Sequence, residues 1–387
     1  MSAVPSPLAV YVHWPYCARI CPYCDFNVVR DRGQAGQAGL ARAIVEDLQA
    51  QAALTGPRRL VSIFFGGGTP SLMDPQWVAE IVQAARHLWP AEAPVEITLE
   101  ANPTDAEAQR FSALAAAGVD RLSLGVQALN DAALRFLGRN HDADEARRAA
   151  TLAGRVFPRL SLDLIYALPG QTPAAWAEAL ARAIDLGPEH LSPYQLTIES
   201  GTAFHRAVQR KTLIPPDDAV GAALYETTQT VLSGQGFDAY EVSNHARGPG
   251  ARSRHNLAYW LGEDYVGAGP GAHGRLTLEG RRIATWAEPK VADYIRKVAE
   301  TGTGLATRET LTLRDQALER LLTGLRIETG VAWDDVAPLG LTPQCPAVSD
   351  FAARGLVRVS ERGLAATASG RQLLDRLIAT LAAAGET

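Results

Sequence analysis

The sequence predicts an α/β protein: a partial, open (β/α)6 TIM-like barrel followed by a small C-terminal α+β domain of winged-helix-like order. Two observations carry this reading. From Leu8 to about Ile198, short β-branched or apolar runs alternate with amphipathic, Ala-rich stretches, the pattern of repeated strand–helix units on a parallel sheet. The residues with chemistry to offer, Cys17, Gly66, Glu100, Gln127 and Asp163, all fall at or just after the C-terminal end of a predicted strand, the rim on which barrels carry their sites. Six units are fewer than the eight of a closed barrel, so a wide lateral mouth is expected.

The six predicted strands are Leu8–Trp14, Leu60–Phe65, Val95–Glu100, Arg121–Val126, Leu160–Ile165 and His190–Ile198. Helices are expected at about 38–53, 75–88, 105–117, 142–154 and 173–186. Asp74-Pro75, Thr104-Asp105 and Thr172-Pro173 each place an N-cap residue beside a first-turn acid or proline. After Ile198 the pattern loosens through Pro215-Pro216 to a helix near 217–234 and a glycine-rich stretch, Val266 to Gly274, that reads as a lid or extension. From Leu311 the order is helices near 314–325 and 343–354, strands Leu356–Val359 and Leu364–Thr367, and a helix from Ser369. The expected organisation is therefore a barrel over residues 1–200, an extension over 201–310 and a terminal domain over 311–387. The terminal part holds 8 Arg and Lys against 9 Asp and Glu, a net charge of −1, which favours packing or a partner over DNA.

With 387 residues, 47% of them hydrophobic, the chain can bury a large core, while a net charge of −5 argues against general nucleic-acid binding. No apolar run reaches membrane-spanning length, and the start, Met1 to Pro7, lacks the features of a secretory signal, so a cytoplasmic, reducing location is expected.

Three of the four cysteines, Cys17, Cys21 and Cys24, are spaced C-x3-C-x2-C; Cys345 stands alone. A [4Fe–4S] cluster normally takes four thiolates, so three on one loop leave an iron open to an outside ligand. The amino and carboxylate groups of S-adenosylmethionine (SAM) can chelate that iron and bring the sulfonium within reach of electron transfer. Structural zinc is the competing reading, but it wants a fourth ligand, and the nearest candidate, His13, lies upstream on a predicted strand.

The triplet after a first strand, with Phe65-Gly66-Gly67-Gly68-Thr69-Pro70 after a second, resembles the radical-SAM superfamily, and Tyr11 and Tyr23 narrow the resemblance to its oxygen-independent coproporphyrinogen III dehydrogenase-like branch. The resemblance implies that Gly67, Gly68 and Thr69 meet the methionyl amino group. It places Gln127, Arg139 and Asp163 against SAM, with Arg139 pairing its carboxylate, and Tyr23 against adenine. Glu100, followed by Ala101-Asn102-Pro103, suits ribose or amine, and Tyr11 suits ordering of the cluster loop. The dehydrogenases of the branch carry a further Cys two residues past the third ligand and a longer N-terminal segment; here Phe26 stands in that place and the chain starts sixteen residues before Cys17. These departures, with Asp25-Phe26 and the H-N-x-x-Y-W motif of His255-Asn256-Leu257-Ala258-Tyr259-Trp260, make the chain similar to HemW-type heme chaperones.

That resemblance implies heme as a further ligand and apo-hemoproteins, among them membrane-bound respiratory enzymes, as partners, with a cluster-dependent homodimer. His255 is the first heme-ligand candidate, with Tyr259 and Trp260 offering flat apolar surface; His273 and His13 are weaker ones. The alternatives are an enzyme of the branch, coproporphyrinogen III dehydrogenase or a related radical-SAM methyltransferase or heme-opening enzyme, and a zinc-stabilised interaction module.

Overall fold

The computed structural model describes residues 5–384 except 32, 34, 35 and 92, so the first four residues of the stretch read for a signal lie outside it. Strand β1 (Pro7–Trp14) leads through the cysteine loop to α1 (Gln37–Thr55), then β2 (Arg59–Gly67), α2 (Pro75–Leu88), β3 (Glu96–Ala101), α3 (Asp105–Ala108) and α4 (Phe111–Ala116). The series continues with β4 (Arg121–Gln127), α5 (Asp131–Phe136), α6 (Ala143–Val156), β5 (Arg159–Tyr166), α7 (Pro173–Ile184) and β6 (His190–Gln195). These six strands pair in parallel in chain order.

The predicted caps form. Asp74 accepts the Gln76 N–H, Thr104 accepts the Glu107 N–H, and Thr172 accepts the Ala175 N–H, each fixing where its helix begins. Two local expectations change. The helix expected over 105–117 breaks at Gln109–Arg110, and α5 is an added helix, only six residues long, started by the Asn130 side chain accepting the Ala133 N–H.

The segment after β6 does more than cap the barrel. It runs through α8 (Ala203–Gln209), α9 (Asp218–Gly234), the short strands β7 (Asp238–Ala239) and β8 (His245–Ala246), and α10 (Arg254–Leu261). It then forms β9 (Asp264–Ala268), β10 (His273–Leu278), β11 (Arg281–Ala287), α11 (Val291–Thr301) and β12 (Leu305–Thr310). Part of the glycine-rich stretch read as lid or extension is thus strand β9, which pairs parallel to β1 (Leu8 opposite Asp264, Val12 opposite Ala268) and makes a seventh parallel strand. The sheet has twelve strands in the order β12-β11-β10-β9-β1-β2-β3-β4-β5-β6-β8-β7; β12 and β7 are its edges, so the barrel is open.

Apolar side chains from Leu8 to Val298 form one core. Beyond β12, α12 (Leu313–Gly324), β13 (Val331–Ala332), α13 (Trp333–Val336), α14 (Pro346–Ala353), β14 (Val357–Val359), β15 (Gly363–Ala366), α15 (Ala368–Arg371) and α16 (Leu374–Ala383) enclose a second core that includes Cys345. Among the described residues no helix is long and apolar enough to cross a membrane.

The end of the barrel opposite the cysteine loop is closed by charge rather than by apolar packing. Glu96, fully buried at the start of β3, accepts from Arg121 (3.2 Å) and Arg159 (2.8 Å) and from the backbone N–H of His255 (3.2 Å) at the start of α10. A buried carboxylate shared by two guanidiniums and a helix N-terminus is costly to unmake, because each donor it leaves has no water to turn to. Glu96→Ala is expected to lower stability by about 3–5 kcal/mol, read as a fall in the urea midpoint; a midpoint equal to wild type would show that the network contributes nothing.

Candidate functional site

The cysteine loop is pinched at its base. Tyr16 and Cys17 bridge in parallel to Val29 and Arg30, the Val29 N–H donates to the Pro15 carbonyl (2.8 Å), and the Asp31 N–H donates to that of Cys17 (2.8 Å). Inside the loop the Cys24 N–H turns back on the Cys21 carbonyl (3.2 Å), so Cys21 and Cys24 flank one tight turn. All three thiols are free and line one cavity of about 510 Å³ at the C-terminal rim of the sheet.

The donor set fits a cationic group. Burial pushes the Cys17 thiol up to about 11, and the Cys24 and Cys21 sulfurs beside it add to the rise against a hydrogen bond with Thr69. Burial raises the Cys24 thiol as well. Thiols that resist ionising in one another's company become thiolates together when a metal supplies the positive charge. Among the described residues no three His, Cys, Asp or Glu side chains converge closely enough to hold a single ion, and a cluster would spread its thiolates over separate irons.

The glycine loop after β2 packs against the base of the cysteine loop. The Gly68 N–H donates to the Trp14 carbonyl (2.7 Å) and the Thr69 N–H to that of Tyr16 (2.8 Å). A Cβ on Gly68 would lie 2.7 Å from the Tyr16 carbonyl oxygen, and one on Gly67, at φ +104°, 2.5 Å from the His13 ring, so neither position tolerates a side chain. Gly67, Gly68 and Thr69 all reach the cavity.

Across from them stand two carboxylates. Glu100, at the end of β3, accepts the Gly67 N–H (3.2 Å); burial pushes its carboxyl up to about 8, with Asp163 adding to the rise. Asp163, on β5, accepts from the Ser123 hydroxyl (3.0 and 3.1 Å), yet burial still lifts it to about 6. At neutral pH this pair carries less than two negative charges, and Glu100 can donate a hydrogen bond as well as accept one.

Gln127 ends β4 in a left-handed conformation (φ 64°), which turns the chain over the cavity. Arg139 is the hub of the wall: it donates to Cys21 Sγ (3.2 Å), the Tyr23 hydroxyl (3.4 Å), the Gly125 carbonyl (3.1 Å) and Asn102 Oδ1, and its Nε has no partner. Asn102 is a residue that sequence reasoning left out. Its amide also donates to Thr69 Oγ1 (3.1 Å), tying the glycine loop to Arg139, and its place two residues after Glu100 in Glu100-Ala101-Asn102 was the available signal.

Eleven of the thirteen sequence-predicted residues line this cavity, all except Tyr11 and His255. Tyr11 lies behind the wall: its hydroxyl donates to His13 Nδ1 (3.0 Å), and His13 Nε2–H donates to the Asn27 carbonyl (2.8 Å), a relay that holds the end of the cysteine loop. His255 lies away from the cavity. Residues 254–261 are helical as anticipated, but the His255 ring faces inward, 1% exposed, stacked on Phe64 (4.9 Å), with Nδ1 bonded to Ser62 Oγ (3.0 Å) and Nε2 to the Tyr259 hydroxyl (2.8 Å). Burial drops its pKa to about 3, so it is neutral, and both of its nitrogens are hydrogen-bonded. Tyr259 is occupied by that bond, and Trp260 lies under the Arg326 guanidinium (4.5 Å).

The comparisons with known proteins agree with this geometry. Residues 11–183 match the model of the radical SAM superfamily. The chain is 40% identical to the bovine (Bos taurus) radical S-adenosyl methionine domain-containing protein 1, mitochondrial, over 96% of this chain and 87% of that protein. It is 41% identical to the heme chaperone HemW of Escherichia coli over 72% of each, and 34% identical to that of Bacillus subtilis over 94% of this chain and 96% of the other. In fold it matches the solved coproporphyrinogen III oxidase HemN of Escherichia coli, a radical SAM enzyme, with a TM-score of 0.79 at 24% identity, covering 97% of this chain and 90% of that one. With relatives named as radical S-adenosyl methionine domain and HemW proteins at 34–41% identity over 72–96% of its length, the chain belongs to the HemW-like family of the radical SAM superfamily.

Proposed function

We propose that the protein is a heme chaperone: it binds heme, carries a SAM-ligated [4Fe–4S] cluster, and passes heme to apo-hemoproteins such as respiratory enzymes. The observation that carries the reading is its 34–41% identity to proteins named heme chaperone HemW, in the Bacillus subtilis case along 94% of the chain. Phe26 supports it, standing where the porphyrinogen dehydrogenases of the branch have a further cysteine, with 62% of its surface exposed beside the cavity. The likeness to HemN concerns the fold alone. Cysteine chemistry of this kind belongs in a reducing compartment, and the cytoplasm is the location that goes with this reading.

Cys17, Cys21 and Cys24 would hold the cluster, which in such proteins supplies one-electron reduction of a bound sulfonium. For SAM, the unpartnered Nε of Arg139 is the group for the methionyl carboxylate, the Gly67-Gly68-Thr69 backbone for the amino group, Tyr23 for adenine, and Glu100, Gln127 and Asp163 for the polar atoms of the nucleoside. Tyr11 acts through the cysteine loop.

Three outcomes test this reading. The full chain, anaerobically reconstituted and loaded with hemin, is expected to pass heme to apomyoglobin, followed by the myoglobin Soret band, and to form no protoporphyrinogen from coproporphyrinogen in the presence of SAM and reductant. Turnover of coproporphyrinogen at enzyme-like rates would overturn the chaperone reading. Arg139→Ala should weaken SAM binding about 10- to 100-fold by calorimetry, the worth of a charge-assisted hydrogen bond, with Arg139→Lys in between; unchanged affinity removes Arg139 from the site. Because the Glu100 carboxyl is lifted from 4.5 to about 8 in the folded chain, the ligand-free protein binds an extra proton there and loses that stability as pH rises through this window. Glu100→Gln should flatten the fall in unfolding midpoint between pH 5 and 9, and equal slopes for variant and wild type would contradict the burial argument.

A further inference from the structure

Six of the eight histidines have a ring nitrogen in a hydrogen bond: His13, His141, His190, His205, His245 and His255. Of the other two, both exposed, His87 ends helix α2 and has no aromatic neighbour among the described residues, whereas His273 opens β10 and is paired across the sheet with Trp286 of β11. The two rings stack with centroids 4.9 Å apart and planes 23° from parallel, and Trp286 leaves 48% of its surface exposed.

This pair belongs to the seam with the cysteine loop. Asn27, directly after the exposed Phe26, donates through its side-chain amide to the carbonyls of Pro270 and Pro289 (2.8 Å each). Those carbonyls lie three residues before His273 and three after Trp286. His273 is also close enough to His13 to help lower the His13 pKa, behind the larger effect of burial. The seam thus carries an imidazole with uncommitted nitrogens, an indole that fixes the ring's orientation, and Phe26 as an exposed apolar side chain toward the cavity. Lys290, the residue after Pro289, and Arg30, after the loop, are exposed cations on the same two segments.

We propose that His273, braced by Trp286, is the axial ligand of an iron porphyrin that docks at this seam against the exposed Trp286, with Lys290 and Arg30 as the cations for its carboxylates. The proposal rests on the heme-carrying function above and moves the ligand from the buried His255 to a ring that ligand can reach. Iron takes a lone pair from a neutral imidazole, and partial burial beside Arg275 lowers the His273 pKa, favouring that form. An exposed carrier site also suits handover, since a recipient can approach a heme held at the surface without opening the barrel.

The test is optical and EPR titration of the full chain with ferric hemin. His273→Ala should weaken binding at least 10-fold and abolish the axial-imidazole spectrum, with exogenous imidazole restoring it. Trp286→Ala should weaken binding about 3- to 10-fold, and His87→Ala should match wild type. His255→Phe keeps an aromatic ring in the core without its nitrogens, and should retain the wild-type spectrum. A wild type that binds heme while His273→Ala shows the same affinity and spectrum overturns this site and leaves the chaperone reading standing; a wild type that takes up no heme overturns both.

Discussion

Three thiols confined to one pinched loop are the constraint around which this molecule is arranged. They cannot all ionise unaided, because burial and their mutual proximity oppose charge. A bound cationic centre resolves the conflict, and the surroundings are built to hold it: the glycine loop closes on the base of the cysteine loop through backbone hydrogen bonds, and Arg139 reaches from the far side of β4 to Cys21 while anchored on Asn102 and Gly125. The two carboxylates opposite are partly protonated by the same burial, so the cavity can take a cofactor bearing both a cation and a carboxylate without a fixed excess of either sign.

The two ends of the barrel divide the work. The rim that carries the thiols consists of loops whose conformations are set by glycines, by a left-handed Gln127 and by side chains bonded to backbone. The opposite end is a rigid plug in which Glu96 joins Arg121, Arg159 and the first turn of α10. The H-N-x-x-Y-W segment belongs to that plug and to the contact with the terminal part: His255 closes against Ser62 and Tyr259, while Trp260 carries the Arg326 guanidinium, and Arg326 in turn donates to buried Glu241 (2.8 Å). In this structure the motif joins the plug to the terminal part.

Much of this was legible in the chain, and the reasons are local. Six strands and four of the five barrel helices could be placed because period-2 and period-3.6 patterns were bounded by caps such as Asp74 and Thr172, whose side chains do bond the first turn. The cavity wall was legible because most of its residues sit near or just after the end of a strand, and parallel strands bring their ends to one rim; Arg139 instead follows α5. What escaped depended on distant contacts. Strand β9 is five residues long and contains Gly267, so only its pairing with β1 makes it a strand. α5 is a single turn and a half created by the Asn130 cap. The His255 ring is held by Ser62, far away in sequence, as well as by Tyr259, and its backbone by Glu96.

The most direct measurement is iron and sulfide analysis of the anaerobically reconstituted chain, followed by EPR of its reduced form with and without SAM. The account predicts about four irons per chain, lost when Cys21 is replaced by Ser, and an EPR signal that shifts when SAM takes the open iron. Protein that retains no iron, or a cluster indifferent both to Cys21→Ser and to SAM, would contradict it.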